Sequence, residues 1–286
     1  MKEIFVKIIV WLGVLSVLTV VAMGLWMVCD GGQSTESLKW LQFVQMTATF
    51  LLPPLLCAWR WDADRRPLRW LGLDKGASGR TFALAVLIMV CAIPGINLLA
   101  DLNSRVVFPE CMAGLEIKLK AMEEQAAILT ERFLQADNFG MLLINLGLMA
   151  ILPALAEELT FRGTLQQILT AKRSSLAIWI TAFVFSAVHM QFYGFVPRML
   201  MGALFGYLFV WSGSLWVPIV MHLTNNSIAI LTYYLLGENT AGKNYADTFG
   251  AGTTWWAGIL SLLVVSGLLW ITYRDLQGYD RRTRTQ

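Results

Sequence analysis

The sequence predicts an all-α fold, a polytopic membrane helix bundle of about eight transmembrane helices. The chain has 286 residues, of which 57% are hydrophobic and only 14% are charged, whereas soluble domains average about 25% charged residues. Its apolar residues form continuous blocks of about 20, the length that crosses a hydrocarbon core of about 30 Å. Continuous blocks, rather than alternating ones, favour helices over a membrane β-barrel. We therefore predict a single integral membrane domain over 1–286.

Eight apolar segments account for the blocks, and they are listed here in chain order. They cover residues 5–28, 39–58, 81–100, 139–162, 174–191, 195–212, 214–236 and 253–273. Tryptophans lie near several block ends, where indole rings favour the headgroup level. We interpret the first segment as a retained helix rather than a signal peptide, because its apolar run is longer than a signal core.

The loop charges predict that both termini are cytoplasmic. Basic residues cluster in 59–80 and in the C-terminal tail, and Lys172 and Arg173 separate the fourth and fifth segments, whereas 29–38 has no Lys or Arg. Short basic loops face the cytoplasm, and the pattern fits a bacterial plasma membrane. The weakest point is Arg198, which this topology places at the outer face. The Lys and Arg form no basic face, which argues against nucleic-acid binding.

One long connection, 101–138, separates the third and fourth segments. Its apolar residues recur at helical spacing from Leu115 to Phe133, which predicts an amphipathic helix on the membrane surface or against the bundle. Cys29 and Cys111 both fall in predicted outer loops, so a disulfide between them stays open as an alternative to two free thiols.

Ionisable residues inside apolar segments are the strongest functional signal in this chain, because each costs about 2.5–3.5 kcal/mol to insert. Glu157 and Glu158 follow a long apolar run, and Arg162 lies four residues after Glu158. That spacing places Glu158 and Arg162 on one helical face, where they can pair. Glu157 points about 100° away and is left to face another helix. A solvated helix end with a Glu–Arg pair is the alternative interpretation.

The two histidines of the chain both lie in apolar segments beside polar neighbours. His189 ends the string that begins at Phe185, and His222 shares a helical face with Asn226, four residues on. Taken alone, either histidine would be interpreted as a packing residue with a hydrogen bond rather than as a catalytic residue. Glu157 and His189 would lie at similar depth on an antiparallel helix pair, and His222 on a later helix could face both. The three residues together predict one polar site inside the bilayer.

These groups form a minimal set for activating water against an amide bond. A glutamate can take a proton from water, a histidine can orient that water, and a second histidine with an amide can stabilise an oxyanion. The alternative is a zinc site formed by His189, His222 and either Glu157 or Glu158. The sequence leaves metal dependence open, although the HExxH helix motif is absent.

Three strings resemble the signature motifs of the CAAX protease and bacteriocin-processing family. They are Glu157-Glu158-x-x-x-Arg162, Phe185-x-x-x-His189 and His222-x-x-x-Asn226, in order, within a motif-bearing core of about 139–236. The family includes endoproteases that trim prenylated CAAX proteins and bacterial self-immunity proteins. The resemblance implies an eight-helix fold with a membrane-facing cavity. It also implies that Glu158 and Arg162 are structural partners, and that Phe185 supports the site.

The same resemblance implies that Glu157 activates water with the help of His189, and that His222 and Asn226 form the oxyanion site. The sequence therefore predicts an intramembrane endopeptidase that hydrolyses a membrane-associated protein or peptide within the lipid bilayer. Two alternatives remain open at this stage. One is a non-catalytic immunity or scaffold protein that uses the pocket for recognition, and the other is a proton-coupled transporter.

Overall fold

The computed structural model describes residues 2–29, 32, 34–170, 174–237 and 239–284, with the side chains of 174, 240 and 278–284 outside the description. In this part of the chain every regular element is a helix, which confirms the predicted all-α bundle. The ten longer helices are α1 Lys2–Cys29, α2 Thr35–Trp61, α3 Gly79–Ser104, α4 Ala113–Leu134, α5 Phe139–Thr170, α6 Ser174–Ala187, α7 Phe195–Ser212, α8 Trp216–Leu236, α9 Thr240–Thr248 and α10 Trp255–Arg284.

Several helices begin and end where their sequences provide a cap. The side chains of Ser34, Ser78 and Asn138 each accept a hydrogen bond from a backbone N–H three residues later, which satisfies an otherwise free donor of the first turn. Helix α7 ends at Gly213, whose φ of 64° is the left-handed conformation that glycine adopts without strain. These caps separate the membrane segments from their connecting loops.

Seven helices in the described ranges are long and apolar enough to cross a bilayer, namely α1, α2, α3, α5, α7, α8 and the apolar part of α10. The eighth predicted segment, 174–191, extends beyond the helix that the structure shows. Helix α6 ends at Ala187 after 14 residues, or about 21 Å. The reason is local, because Met190 has a left-handed φ of 55° and His189 N–H donates to Ser186 O in a tight turn. Lys172 and Arg173 lie outside the described residues.

The connecting loops gather at two ends of the bundle. At one end the Leu215 N–H donates to Gly72 O at 2.9 Å, and the Ser214 hydroxyl donates to Lys75 O at 2.6 Å. At the other end Asn97 Nδ2 donates to Phe249 O at 3.0 Å. The first group belongs to the predicted inner loops and the second to the predicted outer loops. Which end faces the cytoplasm stays a prediction.

The predicted amphipathic segment is helical, and it forms α4. Phe133 is its buried residue, while Leu115 and Leu129 on the predicted apolar face are exposed. Two side chains connect α4 to the outer end of the bundle: Glu123 Oε2 accepts from the Tyr193 N–H at 3.2 Å, and Glu131 Oε1 accepts from the Tyr233 hydroxyl at 3.4 Å. The helix therefore lies across the turn that follows His189.

Helix α5 carries the two glutamates between two π-helical turns, Leu146–Ile151 and Phe161–Gln166. Pro153 lies just after the first of these turns and provides no N–H, so a carbonyl upstream loses its usual donor. Side chains of other helices supply hydrogen bonds there: Gln42 Nε2 donates to Leu148 O at 3.4 Å, and Asn226 Nδ2 donates to Met149 O at 3.2 Å. Turns of this kind occur often at functional sites.

Candidate active site

Glu158 and Arg162 form a fully buried ion pair on α5. Arg162 Nη1 lies 2.7 Å from Glu158 Oε1, and both side chains are 0% exposed. Arg162 Nη2 also donates to Gly202 O of α7 at 2.9 Å. The guanidinium carbon lies 4.6 Å from the ring centroid of Phe185 and 5.2 Å from that of Phe205, which adds cation–π attraction. The pair forms as the four-residue spacing predicts, and it joins α5, α6 and α7.

His222 lies between the two glutamates. Its Nδ1 is 2.9 Å from Glu158 Oε1, and its Nε2 is 3.9 Å from Glu157 Oε2. Because Glu158 Oε1 also accepts from Arg162 inside the bundle, Nδ1 is the donor to this carboxylate. The position of Nδ1 leaves Nε2 directed toward Glu157, although 3.9 Å is too long for a hydrogen bond.

Glu157 is a buried carboxylate with an unused acceptor. Its side chain is 8% exposed, and Oε2 has no hydrogen-bond partner among the described residues. A buried polar atom without a partner costs about 1–3 kcal/mol, and more when the group is charged, so such atoms are rare in native structures and often have a chemical role. Glu157 Oε2 can accept a proton from a water molecule or from a substrate amide.

His189 lies in the turn after α6, and it has no described hydrogen bond to Glu157, Glu158 or His222. Its Nδ1 is 2.8 Å from Phe185 O. A carbonyl only accepts, so Nδ1 carries the proton and Nε2 is free to accept one when the ring is neutral. The Phe185 ring contacts both imidazoles, with centroid distances of 5.2 Å to His189 and 6.1 Å to His222. Phe185 therefore forms the wall between the two histidines.

Asn226 lies one helical turn after His222 on α8, as the spacing predicts. Its Nδ2 donates to Met149 O at 3.2 Å, and its Oδ1 accepts from Asn225 Nδ2 at 3.2 Å. An amide nitrogen has two N–H groups, so one donor is left after the bond to Met149. Asn226 therefore contacts α5, the helix that carries Glu157 and Glu158, through a hydrogen bond to the Met149 carbonyl.

The geometry of the described residues does not favour the zinc alternative that the sequence left open. Among the described residues, no group of three His, Cys, Asp or Glu side chains is arranged to hold a metal ion. In addition, the buried guanidinium of Arg162 lies 2.7 Å from Glu158 Oε1, where its positive charge would repel a divalent cation.

Two features of α7 support the site and were missed in the sequence. Gly202 and Gly206 are four residues apart, and their carbonyls accept from Arg162 Nη2 and Gln166 Nε2, which are also four residues apart on α5. A Cβ at Gly206 would lie 2.7 Å from Gln166 Oε1 and 2.9 Å from Ile178 Cγ2. The Gly-x-x-x-Gly spacing in an apolar helix was the available signal.

Arg198, near the N-terminus of α7, is the second missed feature. It lies close enough to Glu157 and to Glu123 of α4 to interact electrostatically with both, and its Nη2 donates to Gln191 Oε1 at 2.7 Å. The signal was present in the sequence, because an arginine within an apolar segment is a functional hypothesis in its own right. The sequence interpretation treated Arg198 only as a difficulty for the topology.

The site is closed at its centre and opens toward the outer turn. Glu157 and His222 are buried, whereas His189 and Arg198 are partly exposed. Two cavities, of about 810 and 590 Å³, lie at the inner end and are lined by none of the predicted site residues. A substrate that reaches Glu157 therefore approaches past the turn at 188–194 or displaces a neighbouring helix.

Comparison with known proteins supports a peptidase. The family model described as Type II CAAX prenyl endopeptidase Rce1-like matches residues 139–228, the stretch that holds every predicted site residue. This segment is Rce1-like. The match confirms the resemblance drawn from the three strings, and it supports a CAAX-type membrane peptidase in general. With the apolar helices, it also supports an integral membrane protein.

A curated relative of the chain is described as "Uncharacterized protein YpbD" of Bacillus subtilis (strain 168). It is 27% identical over 84 residues, which cover 28% of this chain and 41% of that protein. The chain therefore spans less than half the length of this relative. No solved structure matches the chain.

Proposed function

We propose that the protein is an intramembrane endopeptidase of the CAAX-protease type, in which the Rce1-like segment hydrolyses a peptide bond with water activated by Glu157. The observation that carries the proposal is the carboxylate itself. Glu157 Oε2 is buried, lacks a partner among the described residues, and lies 3.9 Å from Nε2 of His222. A base with a free lone pair inside an apolar bundle is suited to take a proton from a bound water.

The proposed reaction begins when Glu157 removes a proton from water and the oxygen attacks the peptide carbonyl carbon. The hydrogen bond from His189 Nδ1 to Phe185 O keeps the proton of the neutral ring on Nδ1. Nε2 of His189 is then an acceptor that orients the water. The oxyanion that forms accepts hydrogen bonds from the second N–H of Asn226 Nδ2 and from Nε2 of His222 in its protonated form. Glu157 then delivers its proton to the departing amine as the C–N bond breaks.

In the same proposal, Glu158 and Arg162 position the reacting groups. Glu158 Oε1 accepts from both Arg162 Nη1 and His222 Nδ1, which fixes the imidazole orientation so that Nε2 faces Glu157. Arg162 supplies the counter-charge that keeps Glu158 an acceptor. These two residues act through His222 and are expected to influence the turnover rate without contacting the substrate.

The decisive experiment measures cleavage of membrane-anchored peptides by the purified protein in lipid nanodiscs. Peptides with a farnesyl anchor, an acyl anchor or a single transmembrane helix separate the possible substrate types. We expect Glu157→Gln to reduce turnover by at least about 10³-fold, as loss of an essential base does. Glu124→Gln, an exposed acid on α4, is the matched control and should retain full activity.

Two outcomes would overturn the proposal. Full cleavage by Glu157→Gln would contradict the mechanism. Peptide binding without cleavage by the unaltered protein would instead favour a recognition pocket, as in an immunity or scaffold protein. Metal dependence is tested in the same assay with a zinc chelator. Because no group of three metal-ligating side chains comes together among the described residues, we propose a metal-free reaction, and loss of activity restored by zinc would contradict that part.

A further inference from the structure

Arg198 has an unused hydrogen-bond donor and lies within electrostatic range of Glu157, the proposed catalytic base. Its Nη2 donates to Gln191 Oε1, a neutral acceptor, at 2.7 Å. Its Nη1 is buried and has no hydrogen-bond partner among the described residues. The ion pairs found in those residues include none that involves Arg198. Although the side chain as a whole is partly exposed, a buried donor without an acceptor is costly, and a ligand that supplied an acceptor would remove this cost.

The position of this guanidinium is held by the turn that follows α6. Asn103 of α3 donates from Nδ2 to Phe192 O at 2.8 Å, and its Oδ1 accepts from the Val196 N–H at 3.3 Å. Glu123 of α4 accepts from the Tyr193 N–H at 3.2 Å. Helices α3 and α4 thus fix both sides of the turn, so the arginine is placed before any ligand arrives.

Gly194 makes room for the side chain within this turn. A Cβ at that position would lie 3.0 Å from Arg198 Nη2 and 3.5 Å from its guanidinium carbon. The guanidinium therefore lies directly over the glycine backbone, and a larger residue would displace it. The arginine has one face against the turn, and the unpartnered Nη1 can donate one charge-assisted hydrogen bond to a carboxylate.

We propose that Arg198 binds a carboxylate of the substrate and thereby positions the peptide against Glu157. This inference rests on the proposed function and adds the chemistry that the site recognises. Glu157 and Glu123 attract Arg198 over a longer distance without forming an ion pair, so the cation is retained near the site while its donor stays free. The carboxylate is either the C-terminus of the departing peptide or an acidic side chain near the scissile bond.

The test uses three membrane-anchored peptides that differ only in this group. One has a free C-terminal carboxylate, one has a C-terminal amide, and one has the amide together with a glutamate after the scissile bond. We expect the unaltered protein to prefer one of the two acidic peptides over the plain amide by about 10- to 100-fold in kcat/KM, the equivalent of one charge-assisted hydrogen bond. The acidic peptide that is preferred identifies the source of the carboxylate.

Arg198→Gln should remove this preference, because it raises KM for the acidic peptide far more than KM for the amide peptide. Arg105→Gln is the control, because Arg105 is exposed at the same end of the bundle and pairs with Asp101 at 2.7 Å. Equal cleavage of all three peptides by the unaltered protein would overturn the inference. An equal loss on all three in Arg198→Gln would also overturn it, because it would show that the arginine only supports Glu157.

Two further measurements keep the inference testable if Arg198→Gln folds poorly or if the unaltered protein shows no peptidase activity. Arg198→Lys keeps the charge but loses the fork, and it should weaken the preference about tenfold or more. Binding of the acidic and amide peptides to Glu157→Gln, measured by fluorescence, needs no turnover. A carboxylate preference in binding without any cleavage by the unaltered protein would support Arg198 and contradict the proposed peptidase. Cleavage by the unaltered protein without any carboxylate preference would support the proposed peptidase and contradict the role of Arg198.

Discussion

The Nδ1 atom of His222 lies 2.9 Å from Oε1 of Glu158, the same oxygen that accepts the Arg162 guanidinium at 2.7 Å. One carboxylate oxygen therefore connects a histidine of α8 to an arginine of α5. In an apolar bundle each of these groups depends on the other two, because losing one leaves a buried charge or donor without its partner.

Glu158→Gln should destabilise the protein by about 3–5 kcal/mol, the typical cost of breaking a buried ion pair by removing one partner. Thermal unfolding in detergent micelles measures the change. Glu116→Gln is the matched control, since Glu116 and Lys120 have the same i, i+4 spacing and the same 2.7 Å distance but are partly exposed. We expect no resolvable change in that control, and an equal loss in both variants would contradict the argument.

Asn226→Leu should lower kcat by about 10²- to 10³-fold, the usual effect of removing an oxyanion donor. The same change removes the hydrogen bond to Met149 O, so stability must be measured in parallel. Gln42→Leu removes the equivalent bond to the neighbouring carbonyl of Leu148 and should leave kcat unchanged. If both variants lose activity equally, Asn226 acts by supporting the helix rather than by contacting the substrate.

Gly206→Ala should destabilise the bundle by about 1–3 kcal/mol, because overpacking forces side chains out of position. The added Cβ would lie 2.7 Å from Gln166 Oε1 and 2.9 Å from Ile178 Cγ2. Gly267→Ala on α10 is the control, as a Cβ there meets nothing within 4 Å. That variant should be neutral or slightly stabilising, since alanine is the better helix former. A loss in the control comparable to that of Gly206→Ala would remove the packing explanation.

Thiol labelling tests the predicted orientation. Cys29 and Cys111 are exposed and unpaired, whereas Cys57 is buried. In intact cells a membrane-impermeant maleimide should therefore label Cys29 and Cys111, which belong to the predicted outer loops. A cysteine placed at Asp64, in the predicted inner loop, should react only after permeabilisation. Labelling of Asp64→Cys alone in intact cells would reverse the topology.

The sequence predicted the fold class and the convergence of the glutamates with His222, because both follow from simple physical constraints. Apolar blocks of membrane length can only be helices or barrels, and a buried Glu at i pairs with an Arg at i+4 on any helix. His222 lies between the two glutamates because a buried imidazole needs a hydrogen-bond partner, and Glu158 supplies one to Nδ1.

The sequence did not predict how α6 ends or what Arg198 contacts. Residues 188–191 contain no Pro or Gly that would signal a helix end, yet α6 ends at Ala187 and Met190 adopts a left-handed conformation. The donors that hold the turn, such as Asn103, come from distant segments, and periodicity contains no information about contacts of that kind. The anchor of Asn226 was missed for the same reason, since it depends on a carbonyl near Pro153.

The π-helical turns on either side of Glu157 and Glu158 set the angular phase of α5. Each such turn holds one residue more than an α-helical turn, and one residue corresponds to about 100° of rotation. Deleting one residue from Leu146–Ile151 would therefore restore a regular helix while swinging both glutamates away from α8.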